Sequence, residues 1–165
     1  MNDIKSLARS FAYALHGIKW ALCHERNFRI HIICMCYMFY YLLRYDFFVI
    51  SKTEICVLIL SCALVLGGEL INTGIEKADD TVSKERKKTI AISKDAAAGA
   101  VLVFAAFSVV IGVVIMFQPT AFEALFNHYM ESPLYILLLV LSLIVSLLFI
   151  FKFESLLKFV RGKKK

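Results

Sequence analysis

Proline and glycine are scarce: two prolines and seven glycines serve 165 residues. A fold of many short strands joined by tight turns draws heavily on both. A lipid-embedded barrel would need a strict alternation of apolar and polar residues, and the long apolar blocks of this chain lack it. Charge is scarce as well. Only 19% of residues are charged against 60% hydrophobic, and the mean hydropathy is +0.73. Disorder is excluded by that balance, and an ordinary soluble domain, nearer about 45–50% apolar, is disfavoured. The five cysteines (Cys23, Cys34, Cys36, Cys56 and Cys62) show no paired metal-type spacing, so they read as small packing hydrophobes. No glycine-rich phosphate loop of the soluble nucleotide-binding kinds occurs.

What is present is apolar sequence in blocks long enough to cross a bilayer, which needs about 20 residues as helix. The expected fold class is therefore an all-α integral membrane protein. Residues 28–43 form the first block, which could extend through Phe47, Phe48 and Ile50; the others are Ile55–Ile75, Ala96–Phe117 and Leu134–Phe151. Residues 118–132 read as an outer loop. The formal charge of +6 would suggest nucleic acid as a partner of a soluble protein, but here its placement explains it as topology, and no nucleic-acid partner is expected. All lysines and arginines except Arg44 and Lys52 fall before the first block or in its first turn (Arg29), between the second and third, or in the tail. The positive-inside rule then places both termini and the central loop in the cytoplasm.

Residues 2–22 form a different kind of helix. Ile4, Leu7, Phe11, Leu15, Ile18 and Leu22 recur at three- and four-residue steps, and Lys5, Arg9, His16 and Lys19 share the opposite side. Such a helix lies in the membrane surface, either as an electrostatic anchor or as part of a site. Its basic residues interrupt the apolar run that a cleaved signal peptide requires.

The chemistry concentrates in the cytoplasmic half of the second span. Glu69, Asn72, Glu76 and Asp80 fall within an arc of about 80° on one helix face. A carboxylate inside hydrocarbon is costly unless paired, protonated or solvated, so this stripe should face a protein-lined cleft open to the cytoplasm. Glu69 lies about 10 Å deeper than Glu76. The deep acid suits proton acceptance from an alcohol; the shallow acids Glu76, Asp79 and Asp80 suit a hard divalent cation such as Mg²⁺, which keeps waters and substrate phosphates as further ligands. The plainer alternatives are a neutral Glu69 in an interhelical hydrogen bond and a solvated helix end. Beyond the stripe, Ser83-Lys84-Glu85-Arg86-Lys87-Lys88 leads to Ser93-Lys94-Asp95. Lys94 is expected at the N-terminus of the third span, where a cation and free amides together attract phosphate. The basic run could equally serve topology alone. Glu25, just before the first span, could share a cation with Glu76 or pair with Arg26 or Arg29.

The combination of Ser10-Phe-Ala-Tyr13-Ala-Leu-His-Gly17, Glu25-Arg-Asn-Phe-Arg29-Ile-His31, Glu69-Leu-Ile-Asn72-Thr-Gly-Ile-Glu76, Asp80 and Lys94-Asp95-Ala-Ala-Ala-Gly99 resembles the small prokaryotic diacylglycerol kinase family, which includes undecaprenol kinases. The resemblance covers roughly residues 5–117. It implies a homotrimer, each subunit a surface helix plus three spans, that moves the γ-phosphate of MgATP to a lipid hydroxyl. It further implies that Glu69 is the catalytic base with Asn72 beside it, and that Glu25 and Glu76 bind the metal. Tyr13, Glu25, Glu76, Asp80, Glu85, Arg86, Lys87, Lys94 and Asp95 would contact nucleotide, and Lys5 and Arg9 compete for one further nucleotide contact early in the surface helix. The division expected is a kinase core at 1–117 and an added span with a basic tail at 118–165, which lies outside the family's common plan and carries no embedded carboxylate. The stretch from Glu25 to His31 resembles the Gram-positive undecaprenol kinase branch more than the enterobacterial diacylglycerol kinase branch, so a polyprenol is the favoured acceptor and diacylglycerol the alternative. Two rival classes are a four-span proton-coupled transporter using Glu69 and a non-catalytic assembly subunit. A carrier needs neither the acids that continue to the water boundary nor the Lys94-Asp95 pair.

Overall fold

The computed structural model describes residues 2–82 and 88–162. Every regular element among them is a helix: α1 (Asn2–His24), α2 (Arg26–Arg44), α3 (Lys52–Val82), α4 (Lys88–Met116), α5 (Pro119–Met130) and α6 (Pro133–Gly162). Three segments are long and apolar enough to cross a membrane: Lys52–Asp80, Thr89–Met116 and Pro133–Phe153. The second, third and fourth apolar blocks of the sequence are thus single continuous helices. The first block is α2, whose three arginines and His31 dilute its apolar run; it does not rank with the other three by length and composition.

Local chemistry sets the helix ends. At the start of α3, Ser51 Oγ accepts from the Glu54 amide at 3.2 Å while Glu54 Oε2 accepts from the Ser51 amide at 2.7 Å, a reciprocal box that satisfies two otherwise orphaned donors. The segment 118–132 corrects the expected loop. Pro119 opens α5 with its φ already set for a helix, and Ala121 is buried. Twelve residues are too few for a spanning signal, so nothing in the block lengths marked this helix.

Packing follows a simple order. α3 lies most extensively along α4; α2 packs on α3, α6 on α2, and α5 on α6. Ser61 and Ser108 hydroxyls meet at 2.6 Å across the α3–α4 seam, and Tyr37 donates to Ser142 at 2.9 Å across α2–α6. One end of the bundle gathers Arg29 with Ile150, His31 with Glu69 and Lys94 with Asp80. The opposite end is aromatic: Tyr41 and Tyr129 hydroxyls meet at 2.9 Å, and Tyr45 and Tyr135 both pack on His128. Gln118 bridges that end by accepting from the Val49 amide and donating to the Val49 carbonyl. Arg29 and Lys94 make the first of these ends the basic pole of the described residues.

A close approach brings α4 against the residue preceding Glu69. A Cβ on Gly68 would stand 2.9 Å from Phe104 Cδ2, whereas one on Gly67 meets nothing within 4 Å. Gly68→Ala is expected to destabilise the α3–α4 seam by about 1–3 kcal/mol through overpacking. Gly67→Ala, in open space, is expected to be neutral or to stabilise by about 0.5–1 kcal/mol. Thermal unfolding of the two variants in detergent would show the contrast.

Candidate active site

Glu69 is the most enclosed acid of the stripe, 4% exposed. Its Oε1 lies 3.3 Å from Nε2 of His31 on α2, so the carboxylate faces a neighbouring helix and is shielded from the acyl tails. One turn toward the basic pole, Asn72 Nδ2 donates to Glu76 Oε1 at 3.0 Å. Asn72 therefore supports Glu76, with no hydrogen bond to Glu69 among the described residues. At the edge, Lys94 of α4 donates to Asp80 Oδ1 of α3. Two buried acceptors, Asn72 Oδ1 and Asp79 Oδ2, take no hydrogen bond from the described residues, and buried acceptors normally find a donor.

Glu25 occupies the single extended residue between α1 and α2, with φ −96° and ψ 114°. Its side chain makes no capping bond to α2, so the carboxylate is available. Partial burial pushes its pKa up; the nearby Lys77 ammonium opposes that, and the Glu76 and Glu69 charges add to it. Lys77 itself sits 5.1 Å above the Trp20 ring, whose face stacks on His24. Because the folded-state pKa is raised, ionising Glu25 costs more in the folded than in the unfolded chain. Its contribution to stability is thus fully present below the ordinary carboxyl range and lost as pH rises through the raised value. Glu25→Gln, assayed without divalent cation, is expected to melt above the parent protein at neutral pH, with the gap closing on acidification to below pH 4. A lower melting temperature at neutral pH would contradict this electrostatic account.

The remaining sequence candidates divide. Lys5, Arg9 and Tyr13 lie on the exposed run of α1, Tyr13 being 73% exposed, and make no hydrogen bond or ion pair to the α3 stripe among the described residues. Asp95 is exposed. Glu85, Arg86 and Lys87 lie outside the described residues. Lys94 requires a correction: α4 already runs from Lys88, so Lys94 stands in the helix interior and the free first-turn amides are not beside it. The stretch Lys-Thr-Ile-Ala-Ile propagates the helix ahead of the apolar block.

Two residues carry more than the sequence suggested. His31 faces Glu69, and an imidazole at the polar end of an apolar block was the available signal. Arg29 is 3% exposed and bonds to backbone carbonyls of two other helices. Above His31, a cavity of about 300 Å³ opens between α2, α3 and α4, lined by Met35, Met38, Leu58, Val65 and Ala105 among others. Its serines, Ser61 and Ser108, bond to each other, leaving an apolar slot with His31 at its polar end.

Among the described residues no three His, Cys, Asp or Glu side chains form a metal cage. The half-buried carboxylates of Glu25 and Glu76, near enough for their charges to interact, are hard donors of the kind that holds Mg²⁺ jointly with substrate phosphates.

Residues 12–116 match the model of the family described as prokaryotic diacylglycerol kinase. An undecaprenol kinase of Bacillus subtilis is 35% identical over 115 residues, covering 69% of this chain and 90% of the relative. A diacylglycerol kinase of Synechocystis sp. is 34% identical over 115 residues, covering 69% of this chain but 64% of that relative's length. A diacylglycerol kinase of Haemophilus influenzae is 30% identical over 103 residues, covering 62% of this chain and 84% of the relative. No solved structure matches significantly. With the embedded acid, its histidine partner and the acids leading to the Asp80–Lys94 pair on the matched helices, the chain belongs to the prokaryotic diacylglycerol kinase family of membrane lipid kinases.

Proposed function

We propose that this protein transfers the γ-phosphate of ATP to the primary hydroxyl of a membrane lipid alcohol, undecaprenol in the first instance. The observation that carries the reading is Glu69 against His31 at the polar end of an apolar slot, with further acids continuing along the same face of α3 to Asp80 and Lys94. A lipid lying in the slot brings its hydroxyl to Glu69, and a nucleotide approaches from the basic pole. Glu69 accepts the hydroxyl proton as the oxygen attacks the γ-phosphorus and ADP departs. His31 holds the carboxylate in its orientation. Glu25 and Glu76 would hold Mg²⁺, which when bound neutralises charge on the transferring phosphate. Asn72 keeps Glu76 aligned for that duty, and Lys94, freed from Asp80, can reach a phosphate. Tyr13, Asp95 and the basic segment holding Glu85, Arg86 and Lys87 complete the nucleotide side, with Lys5 or Arg9 as a further contact. Rate enhancement then comes from positioning and charge, without a covalent enzyme intermediate.

The architecture proposed with it is a bacterial plasma-membrane protein with both termini cytoplasmic. Residues 1–117 form the kinase core and 118–165 an added spanning helix. α2 serves as a fourth crossing element, and α1 lies in the membrane surface; its Ile4, Leu7, Phe11 and Leu15 are exposed and need lipid or protein to cover them. Among the described residues α4 packs along α3 alone and leaves Val103, Phe107, Val110 and Val114 exposed, a face suited to neighbouring copies in a homotrimer.

The undecaprenol reading is supported by the 90% coverage of the Bacillus subtilis relative and by a slot at the small end of ligand-pocket volumes, which suits one chain better than two. Diacylglycerol is the alternative, supported by the other two relatives' names. The test is purified protein in micelles with labelled ATP and Mg²⁺, offered undecaprenol and diacylglycerol separately. Faster labelling of undecaprenol supports the first reading, faster labelling of diacylglycerol the second, and labelling of neither refutes kinase action.

A further inference from the structure

The helix outside the family match runs beside the site. Arg29, on α2 between Glu25 and His31, donates through Nε and Nη2 to the Ile150 carbonyl of α6 at 3.1 and 2.9 Å. Its Nη1 donates to the Leu22 carbonyl of α1 at 3.1 Å. Leu22 stands in the last turn of α1, where carbonyls lack intrahelical partners, so the guanidinium caps that turn as a cation at a helix C-terminus. The fork is fixed: a planar guanidinium with two donors on one carbonyl cannot rotate to a new partner without breaking both bonds. Burial makes each lost bond costly, because the charge has no water to fall back on.

From this geometry we infer that α6 is a positioning element of the kinase site, acting through Arg29. The clamp ties three helices at one point: α6, α2 and the end of α1. Glu25 is the only residue between the last two, so the angle at which they meet decides where its carboxylate lies relative to Glu76. Fixing Leu22 and Arg29 against the Ile150 carbonyl fixes that angle. The added span therefore does more than anchor the chain, and Arg29 is a positioning residue whose effect passes through Glu25. This inference rests on the metal role proposed for Glu25, and its test includes a readout that does not depend on catalysis.

The test uses the full-length protein. Arg29→Gln removes the fork. Ile150→Trp puts a bulky side chain at a buried position and pushes the α6 backbone off its seat; Phe151→Trp, at an exposed position of the same helix, is the control. Arg29→Gln and Ile150→Trp are each expected to raise the KM for MgATP about tenfold or more, the scale of lost outer-sphere support for a metal ligand. The KM for the lipid alcohol should stay within about twofold, and the double variant should be no worse than either alone, because both break one clamp. The control should match the parent. The catalysis-independent readout is the alkylation rate of Cys23, half-buried in the last turn of α1, followed residue by residue by mass spectrometry; it should rise severalfold in both variants and not in the control. Raised Cys23 labelling in a protein that phosphorylates no lipid alcohol would uphold the clamp and defeat the kinase reading. Parental MgATP dependence and Cys23 labelling in Arg29→Gln and Ile150→Trp, with the proteins still inserted in membranes, would overturn the inference.

Discussion

Glu69→Gln is expected to lower lipid phosphorylation by about 10²–10⁴-fold, the usual worth of a positioned general base, while the variant inserts and assembles like the parent. The replacement keeps shape and can still accept a hydrogen bond from His31, 3.3 Å away, so the geometry survives and only proton acceptance is lost. Phosphorylation of micellar lipid alcohol with labelled ATP measures the effect. Activity at the parental level would remove the base from the mechanism and revive a structural role for the buried acid. His31→Ala separates orientation from proton acceptance: it is expected to reduce kcat by less than the Glu69 change, because the carboxylate remains.

The second large effect belongs to Glu76. Its Oε1 already accepts from Asn72, which leaves the other oxygen for a cation. Glu76→Gln keeps the Asn72 contact and removes the charge. The Mg²⁺ concentration for half-maximal rate is expected to rise about 10–100-fold, with little change in the KM for the lipid. Magnesium titration at saturating acceptor checks it. An unchanged magnesium dependence would take Glu76 out of the metal set and leave Glu25 as the remaining protein ligand proposed. Glu25→Gln provides a contrast in sign, because it should stabilise the protein at neutral pH while harming magnesium dependence. A residue that burdens the fold when ionised and helps the reaction is behaving as a ligand site, since a cation supplies the charge that folding withheld.

How much of this could be read in the chain follows from where each contact is encoded. The stripe from Glu69 to Asp80 was legible because one uninterrupted helix carries it, and helical spacing alone puts those side chains on one face. The three most apolar helices were legible from block length. α5 was not: twelve residues of mixed character give neither a spanning block nor a clear stop. The start of α4 was missed because apolar density rises only at Ala96, whereas helix propensity already holds from Lys88 onward. The partners of His31 and Arg29 were out of reach for a deeper reason. Spacing tells which side of α2 each residue occupies, but which helix lies on that side is set by packing between segments as far apart as Arg29 and Ile150. The ion pair of Lys94 with Asp80 follows the same rule; both residues were candidates, and their meeting depended on how α3 and α4 fold back on each other.

The unbroken run of α3 has one more consequence. From Glu69 to Asp80 there is no proline, no irregular turn and no change of helix type, and the α3–α4 seam is locked by the Ser61–Ser108 pair. The spacing between the point of chemistry and the water's edge is therefore graduated like a ruler and cannot stretch to suit a longer or shorter donor. Any give needed when two very different molecules meet there must come from the side chains, because the elbow at Glu25 is held by Arg29.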